Sequence, residues 1–426
     1  METIPVQGTV LAAAGHGFEV AILIVGLLLI AGAALAALAH RSLLSLTALF
    51  VLAGFALGPD GAELLSFDAR SRFVAQLAIV ALVVILLRDG LEVERELLAS
   101  HWHLPLRKLV LAMPLTAALI ALAARALTDL SWTEAFLLGA LLSPTDPVLS
   151  SSVVTNPRVP RVVRHSLNLE SGLNDGLALP AVLALAAALR VGQGHFVAWR
   201  FVVEDLGLGL ACGLAVGYLA SRLWTSRGAE HDERETSHAT ALYLLGVAFA
   251  AYGVAVASHG NGLIAVFVCA IVIGVRRPDL RSAFQRGGQP LVELSKLGIF
   301  VVFGSLLTIH GLFAEGWGAV AIVAFTLLVA RPVAIWIALA GTSTDRATKA
   351  FIAWFGPKGV ATMTFSLIIL GDSIPNNLRI FNLAAVTVFA SIILHGLTDT
   401  PGTTWIARHT EQRTAANNDG GASARP

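Results

Sequence analysis

From residue 18 to residue 398 the chain is a succession of long apolar runs separated by short polar segments. A helix needs ~20 apolar residues to cross the hydrocarbon core of a bilayer. Read as spans, the runs fall near 18 to 39, 42 to 58, 73 to 92, 106 to 127, 132 to 154 and 164 to 190. A second set lies near 197 to 224, 239 to 258, 261 to 275, 291 to 311, 317 to 341, 346 to 370 and 378 to 398, about thirteen in all. The length would otherwise suggest roughly three soluble domains, but only 13% of the residues are charged and 56% are hydrophobic. Soluble domains carry ~25% charge, so there are too few charges here to coat them. The fold class expected is an all-α polytopic membrane protein.

The loops supply an orientation. With the N-terminus outside, nineteen Lys and Arg fall in loops on the cytoplasmic side and six on the outer side, the asymmetry expected because basic residues resist translocation. The nineteen include Arg107 and Lys108, assigned to the loop before the fourth span. Met1 to Gly17 lacks the basic start of a cleaved signal, so the first span is expected to be retained in a multi-pass protein of the cell inner membrane. A net charge of +1 argues against nucleic acid as a partner, and Cys212 and Cys269 have no partner spacing. Residues 1–398 form one transmembrane domain. Residues 18–190 are the first repeat, 197–224 a linking helix, 239–398 the second repeat, and 399–426 a short cytoplasmic tail whose polar stretch from Gly402 to Pro426 is read as disordered.

Two spans are interrupted. Ser143-Pro144-Thr145-Asp146-Pro147 breaks the fifth: Pro144 removes a donor from the helical ladder, and Asp146-Pro147 has the grammar of a helix start. Phe355-Gly356-Pro357-Lys358-Gly359 breaks the twelfth. The breaks lie 212 residues and seven helices apart, and an odd offset inverts one copy against the other. Interrupted spans at matching positions point to two inverted six-helix repeats whose broken helices cross at the midplane, where transporters bind substrate. Asp146 is expected to offset the positive N-terminal ends of the half-helices and Lys358 the negative C-terminal ends.

The sixth span opens on Glu170-Ser171-Gly172-Leu173-Asn174-Asp175. At ~100° per residue, Glu170, Ser171, Asn174 and Asp175 occupy an arc of about 140°. Ser171 and Asp175, four apart, can converge on one small cation, with Asn174 orienting a neighbour. A carboxylate at membrane depth costs ~2.5 kcal/mol or more, so Asp175 is expected to be functional. Glu170 is expected to form a buried ion pair with Lys358.

Ser-Pro-Thr-Asp-Pro at 143–147, Glu-Ser-Gly-Leu-Asn-Asp-Gly at 170–176 and Gly-Pro-Lys-Gly-Val at 356–360 resemble the signatures of the monovalent cation:proton antiporters, in particular the prokaryotic, NhaP-like sodium/proton exchangers. The resemblance implies a homodimer serving pH homeostasis, with Na+ (or Li+ or K+) and H+ as transported ions and no cofactor. It implies Asp175 as the shared cation and proton carboxylate, Ser171 and the Thr145 backbone as further Na+ ligands, and Asp146 acting through water. Asn174 becomes a structural partner, and Glu170 pairs with the basic residue of the twelfth span, often Arg and here Lys358. An acid commonly follows a Gly-Gly pair in the third span; this chain has Leu87-Arg88-Asp89-Gly90, which makes Asp89 the candidate.

Coupling follows from one buried carboxylate that is costly to leave charged and empty, so that it holds either a proton or a cation. With Asp175 alone exchanging, one cation moves per proton and transport is electroneutral. The alternatives are a K+/H+ antiporter on the same machinery and, more remotely, a cation channel. His-Glu-x-x-His and Gly-x-Ser-x-Gly are absent, so the chain is not expected to be an enzyme.

Overall fold

The apolar runs fold as helices whose ends are set by local chemistry. A computed structural model describes residues 23, 26–27, 30, 46–68, 71–93, 103–146, 159, 161–190, 198–224, 233–342 and 344–422, and among these there is no strand. In chain order the helices are α1 (Leu46–Leu57), α2 (Arg72–Leu91), α3 (His103–Arg107, a π turn Lys108–Ala112, then Met113–Leu127), α4 (Trp132–Leu142) and α5 (Arg161–Leu189). There follow α6 (Ala198–Arg200, π-helical Phe201–Leu208, Gly209–Leu223), α7 (Glu233–Ala257), α8 (Gly262–Arg276), α9 (Pro278–Gly287), α10 (Gln289–Ser305) and α11 (Ile309–Phe313). The last are α12 (Trp317–Phe325, a π turn Thr326–Ala330, Arg331–Ala338), α13 (Arg346–Trp354), α14 (Val360–Gly371) and α15 (Asn377–Ala422).

Each expected span from the second to the thirteenth coincides with helix in this series; the first lies outside the described residues except for four positions. Among the described residues, seven helical stretches are long and apolar enough to cross a membrane singly. The shorter α4 and α13 stop, and the shorter α14 starts, at the two interruptions. Starts carry caps: the Ser131 hydroxyl accepts from Glu134 N while Glu134 accepts from Ser131 N, and Asn261 caps α8.

Helices in lipid associate through close van der Waals packing rather than water exclusion. The sequence supplies it with small residues. Gly209, Gly213 and Gly217 line one side of α6, and a Cβ on any of them would lie 2.6 to 2.8 Å from the carbonyl oxygens of Asn261, Ala265 or Cys269 on α8. The result is a helix pair in near backbone contact. Meanwhile Val202, Val203, Leu210, Leu214, Leu219 and Leu223 remain exposed on α6, as a lipid-facing surface requires.

Two sequence expectations are corrected by packing. The stretch from Gly402 read as disordered is helical as far as Ala422, because α15 continues through it. Ile406 is fully buried in a cluster with Ala334, Ile335 and Phe351, and Gly402 sits against the Phe355 ring. Burial of Ile406 therefore docks a segment whose composition looked like a free tail. Lys108 is not a loop residue either; the π turn of α3 carries it into the protein, where it is fully buried. The apolar run read from residue 106 already contains Lys108, so the residue belongs to that helix and not to the loop ahead of it.

Candidate cation-binding site

The two interruptions touch. Beyond Leu142 the chain is non-helical through Pro144, Thr145 and Asp146, and beyond Trp354 it is non-helical until Val360. The Asp146 N–H donates to the Pro357 carbonyl at 2.8 Å, closing one orphaned backbone pair across the breaks. Gly359 makes the approach feasible, because a Cβ there would lie 2.0 Å from the Asp146 Cβ. The helix start expected at Pro147 lies outside the described residues.

Against this crossing lies the polar stripe of α5. Glu170, Asn174 and Asp175 are all buried; Ser171 lies on the same helix, its side chain outside the described set. The Asn174 amide donates to the Thr145 carbonyl at 2.6 Å and to Thr145 Oγ1 at 3.3 Å. Its own Oδ1 has no hydrogen-bond partner among the described residues. The Asn174 amide thus ties the fifth-span break to the stripe.

Glu170 is the site of the principal correction. Its Oε2 accepts from Lys108 Nζ at 2.6 Å and its Oε1 from Arg331 at 2.9 Å, with Thr145 Oγ1 donating at 3.1 Å. Lys358 is not its ion-pair partner: the Lys358 Nζ is fully buried and has no hydrogen-bond partner among the described residues. Nor does Lys358 offset the C-terminal end of α13. The Arg331 guanidinium does, donating to the carbonyls of Ile352 and Phe355 at 3.5 and 3.4 Å. The planar fork of Arg331 reaches a carboxylate and a helix terminus at once, and Gly356 leaves room for it, since a Cβ there would fall 1.9 Å from its Nε. Sequence reasoning missed both bases. Arg331 carried a usable signal, a lone Arg inside the apolar run 317–341, where an intramembrane charge marks a site.

Asp175 has the opposite environment. No hydrogen bond or ion pair joins its carboxylate to the described residues. The charged groups within its electrostatic reach are Asp89, Asp146, Lys296 and Arg88. Asp89, the third-span candidate, is buried on α2 with Arg88 Nε 3.7 Å from its Oδ1. Two further acids, Asp89 from α2 and Asp146 from the fifth-span break, therefore gather around one carboxylate without a partner among the described residues, an arrangement that attracts a small cation or a proton.

The family described as "Sodium/hydrogen exchanger, transmembrane" matches residues 25–405. The chain is 25% identical over 396 residues to the K(+)/H(+) antiporter NhaP of Alkalimonas amylolytica, covering 92% of this chain and 67% of that one. It is 27% identical over 288 residues to the Na(+)/H(+) antiporter NhaG of Bacillus atrophaeus, covering 65% and 53%. It spans between about half and two thirds of the length of these curated relatives. In fold it is similar to the sodium proton antiporter MjNhaP1 from Methanocaldococcus jannaschii, with a TM-score of 0.78 at 18% identity, over 92% of this chain and 99% of that one. With a match that runs from the first expected span to the docked end of α15, the chain belongs to the transmembrane sodium/hydrogen exchanger family.

Proposed function

We propose that the protein exchanges a monovalent cation for a proton across the cell membrane, the two competing for Asp175. One observation carries this reading, the contrast between two acids five residues apart on α5. Glu170 is held by two cations and a hydroxyl, whereas Asp175 is buried without a partner among the described residues. The first is a fixed part of the scaffold. The second is costly to leave charged and empty, so it takes up either ion and releases it for the other.

Ser171 and the Thr145 carbonyl are the further oxygen ligands, with Asp146 acting through water and Asp89 completing the acidic surround. Asn174, Glu170 and Lys358 shape the site without binding the ion. If Asp175 alone changes occupancy, the exchange is one for one and electroneutral. Na+ is the first substrate, in keeping with the names of NhaG and MjNhaP1. K+ is the second reading, favoured by a relative named for K+/H+ exchange that aligns over more of the chain. Oxygen donors suit both ions. The broken-helix core, built as inverted repeats, moves against the rest to alternate access, in a homodimer of the inner membrane with its N-terminus outside and its C-terminus cytoplasmic.

Reconstitution into proteoliposomes tests this. Imposed gradients of Na+, Li+ or K+ should each be compared for proton movement across pH. Asp175→Asn should abolish the movement for every cation; persistence would overturn the assignment, and voltage-dependent unitary currents would select a channel instead.

A further inference from the structure

Near its end, α2 carries charges that the exchange at Asp175 does not require. Arg88 Nε lies 3.0 Å from Glu92 Oε1 and 3.7 Å from Asp89 Oδ1. Side-chain exposure grades along this group, 3% for Asp89, 13% for Arg88 and 29% for Glu92. A pair four apart on a solvated helix is worth only ~0.3–0.5 kcal/mol, but this one runs from the protein interior to its surface. The backbone beneath it is pinned. A Cβ on Gly90 would lie 2.8 Å from the Phe267 carbonyl oxygen of α8, and one on Gly172 of α5 would lie 3.2 Å from the Asp89 carbonyl oxygen. Adjustment is therefore left to the Arg88 side chain, which has one acid on either side of it.

The charged groups of the packed elements complete the setting: Asp146 from the fifth-span break, Lys296 from α10 and Asp175 from α5. Arg88 is thus a permanent cation beside the acids that attract the transported one.

We infer that Arg88 is a tethered competitor for the acidic site and that Glu92, by holding it 3.0 Å away, sets the apparent affinity for the transported cation. This rests on the assignment of the exchange to Asp175. Swung toward Glu92, the guanidinium leaves Asp89 and Asp175 to the incoming ion. Swung toward Asp89, it supplies the positive charge itself, and the ion must displace it. Arg88 acts through the acids and is a specificity-setting, positioning residue that does not itself ligate the ion.

The test is cation-dependent proton flux in proteoliposomes of the full chain, titrated with Na+ and with K+. Arg88→Gln should lower the KM on the order of tenfold, the scale of one unit charge nearby in a partly solvated site. Arg88→Lys, which keeps the charge, should return KM toward the wild-type value. Glu92→Asp keeps its charge but shortens its reach; it should raise KM in the wild-type background and leave it unaltered beside Arg88→Gln. Loss of flux with KM unmoved, or equal effects of Glu92→Asp in both backgrounds, overturns the inference. Should Arg88→Gln fail to fold, Glu92→Asp decides it by itself: KM must rise although the charge is conserved, and an unmoved KM overturns the inference. Failure of the underlying reading is separately visible as exchange that survives Asp175→Asn.

Discussion

Replacing Glu170 with Gln keeps the shape of the side chain and removes its charge, so it measures the ion cluster directly. The carboxylate accepts from Lys108 at 2.6 Å and Arg331 at 2.9 Å, all three groups being buried. Hydrogen bonds to charged groups contribute about 1.5–3 kcal/mol each, and removing one member of a buried pair costs about 3–5 kcal/mol. The amide oxygen still accepts one bond, which places the expected loss at about 3–4 kcal/mol. With ~2.1 cal/mol/K of unfolding entropy per residue, a chain of 426 residues loses about 4 °C in Tm. A membrane protein keeps helices when it unfolds, so the entropy is smaller and 4 °C is a lower figure.

The assay is fluorescence of the eight tryptophans during heating in detergent. Lys108→Met and Arg331→Met should move Tm the same way as Glu170→Gln. Lys358→Met should leave it level or raise it, because an unpaired buried ammonium gives way to an apolar side chain of similar length. The reasoning is refuted if Glu170→Gln shifts Tm by less than about 1 °C, or if Lys358→Met destabilises as much as Lys108→Met, the result required by a Glu170–Lys358 pair.

Asp175→Asn should abolish cation-driven proton flux while its melting curve stays as cooperative as the wild type's. Gly359→Ala must push apart two chains that would meet at 2.0 Å; little folded protein is expected, read as loss of the monodisperse peak in size-exclusion chromatography. Gly213→Leu should separate α6 from α8, whose carbonyl oxygen lies 2.6 Å from the position of a Cβ, and lower Tm by several degrees (~2–4 kcal/mol of overpacking and lost contacts). Outside the spans, the Arg277 guanidinium bonded to Asp279 at 2.7 Å holds that carboxyl below its usual range. A depressed folded pKa contributes stability above the unfolded value of ~3.9 that is lost as pH falls through the folded one. Because this pair is exposed and screened, Asp279→Asn should lower Tm only slightly at neutral pH; the difference from wild type should begin to shrink as pH falls below about 4 and vanish only below the depressed folded pKa.

How far the sequence led depends on the range of the interaction concerned. The breaks at Pro144 and Gly356-Pro357 were legible because proline and glycine act on their own backbone, and the helices on either side do stop at Leu142 and Trp354. The stripe from Glu170 to Asp175 was legible because a helix fixes angles between near neighbours. The partner of Glu170 was not. Three bases on three elements compete for it, with Lys108 separated by 62 residues and Arg331 by 161, and no local rule orders them. Lys358 was the natural choice only because its motif is conspicuous. Ile406 illustrates the same limit: its burial against α12 and α13 turns a polar-looking tail into a docked helix, and such a contact is invisible to composition.

The arrangement of charge explains why exchange, rather than one-way leakage, suits this core. Five acids (Asp89, Glu92, Asp146, Glu170, Asp175) face five bases (Arg88, Lys108, Lys296, Arg331, Lys358), so the formal charges balance as a whole. They are not mixed evenly. Around Glu170 the bases outnumber the acid, and Lys358 adds to the excess; on the other side Asp175, Asp89, Asp146 and Glu92, four acids, share Arg88 and Lys296 among the described residues. A low-dielectric interior amplifies that separation. The acidic side attracts a mobile positive charge, while the basic side prevents that charge from continuing through Glu170. One cation or one proton at Asp175 relieves the imbalance equally, and an empty site restores it in full. In the exchange proposed at Asp175, a core built this way favours being occupied whenever it crosses between the two sides of the membrane, and that preference couples the outward journey of one ion to the return of the other.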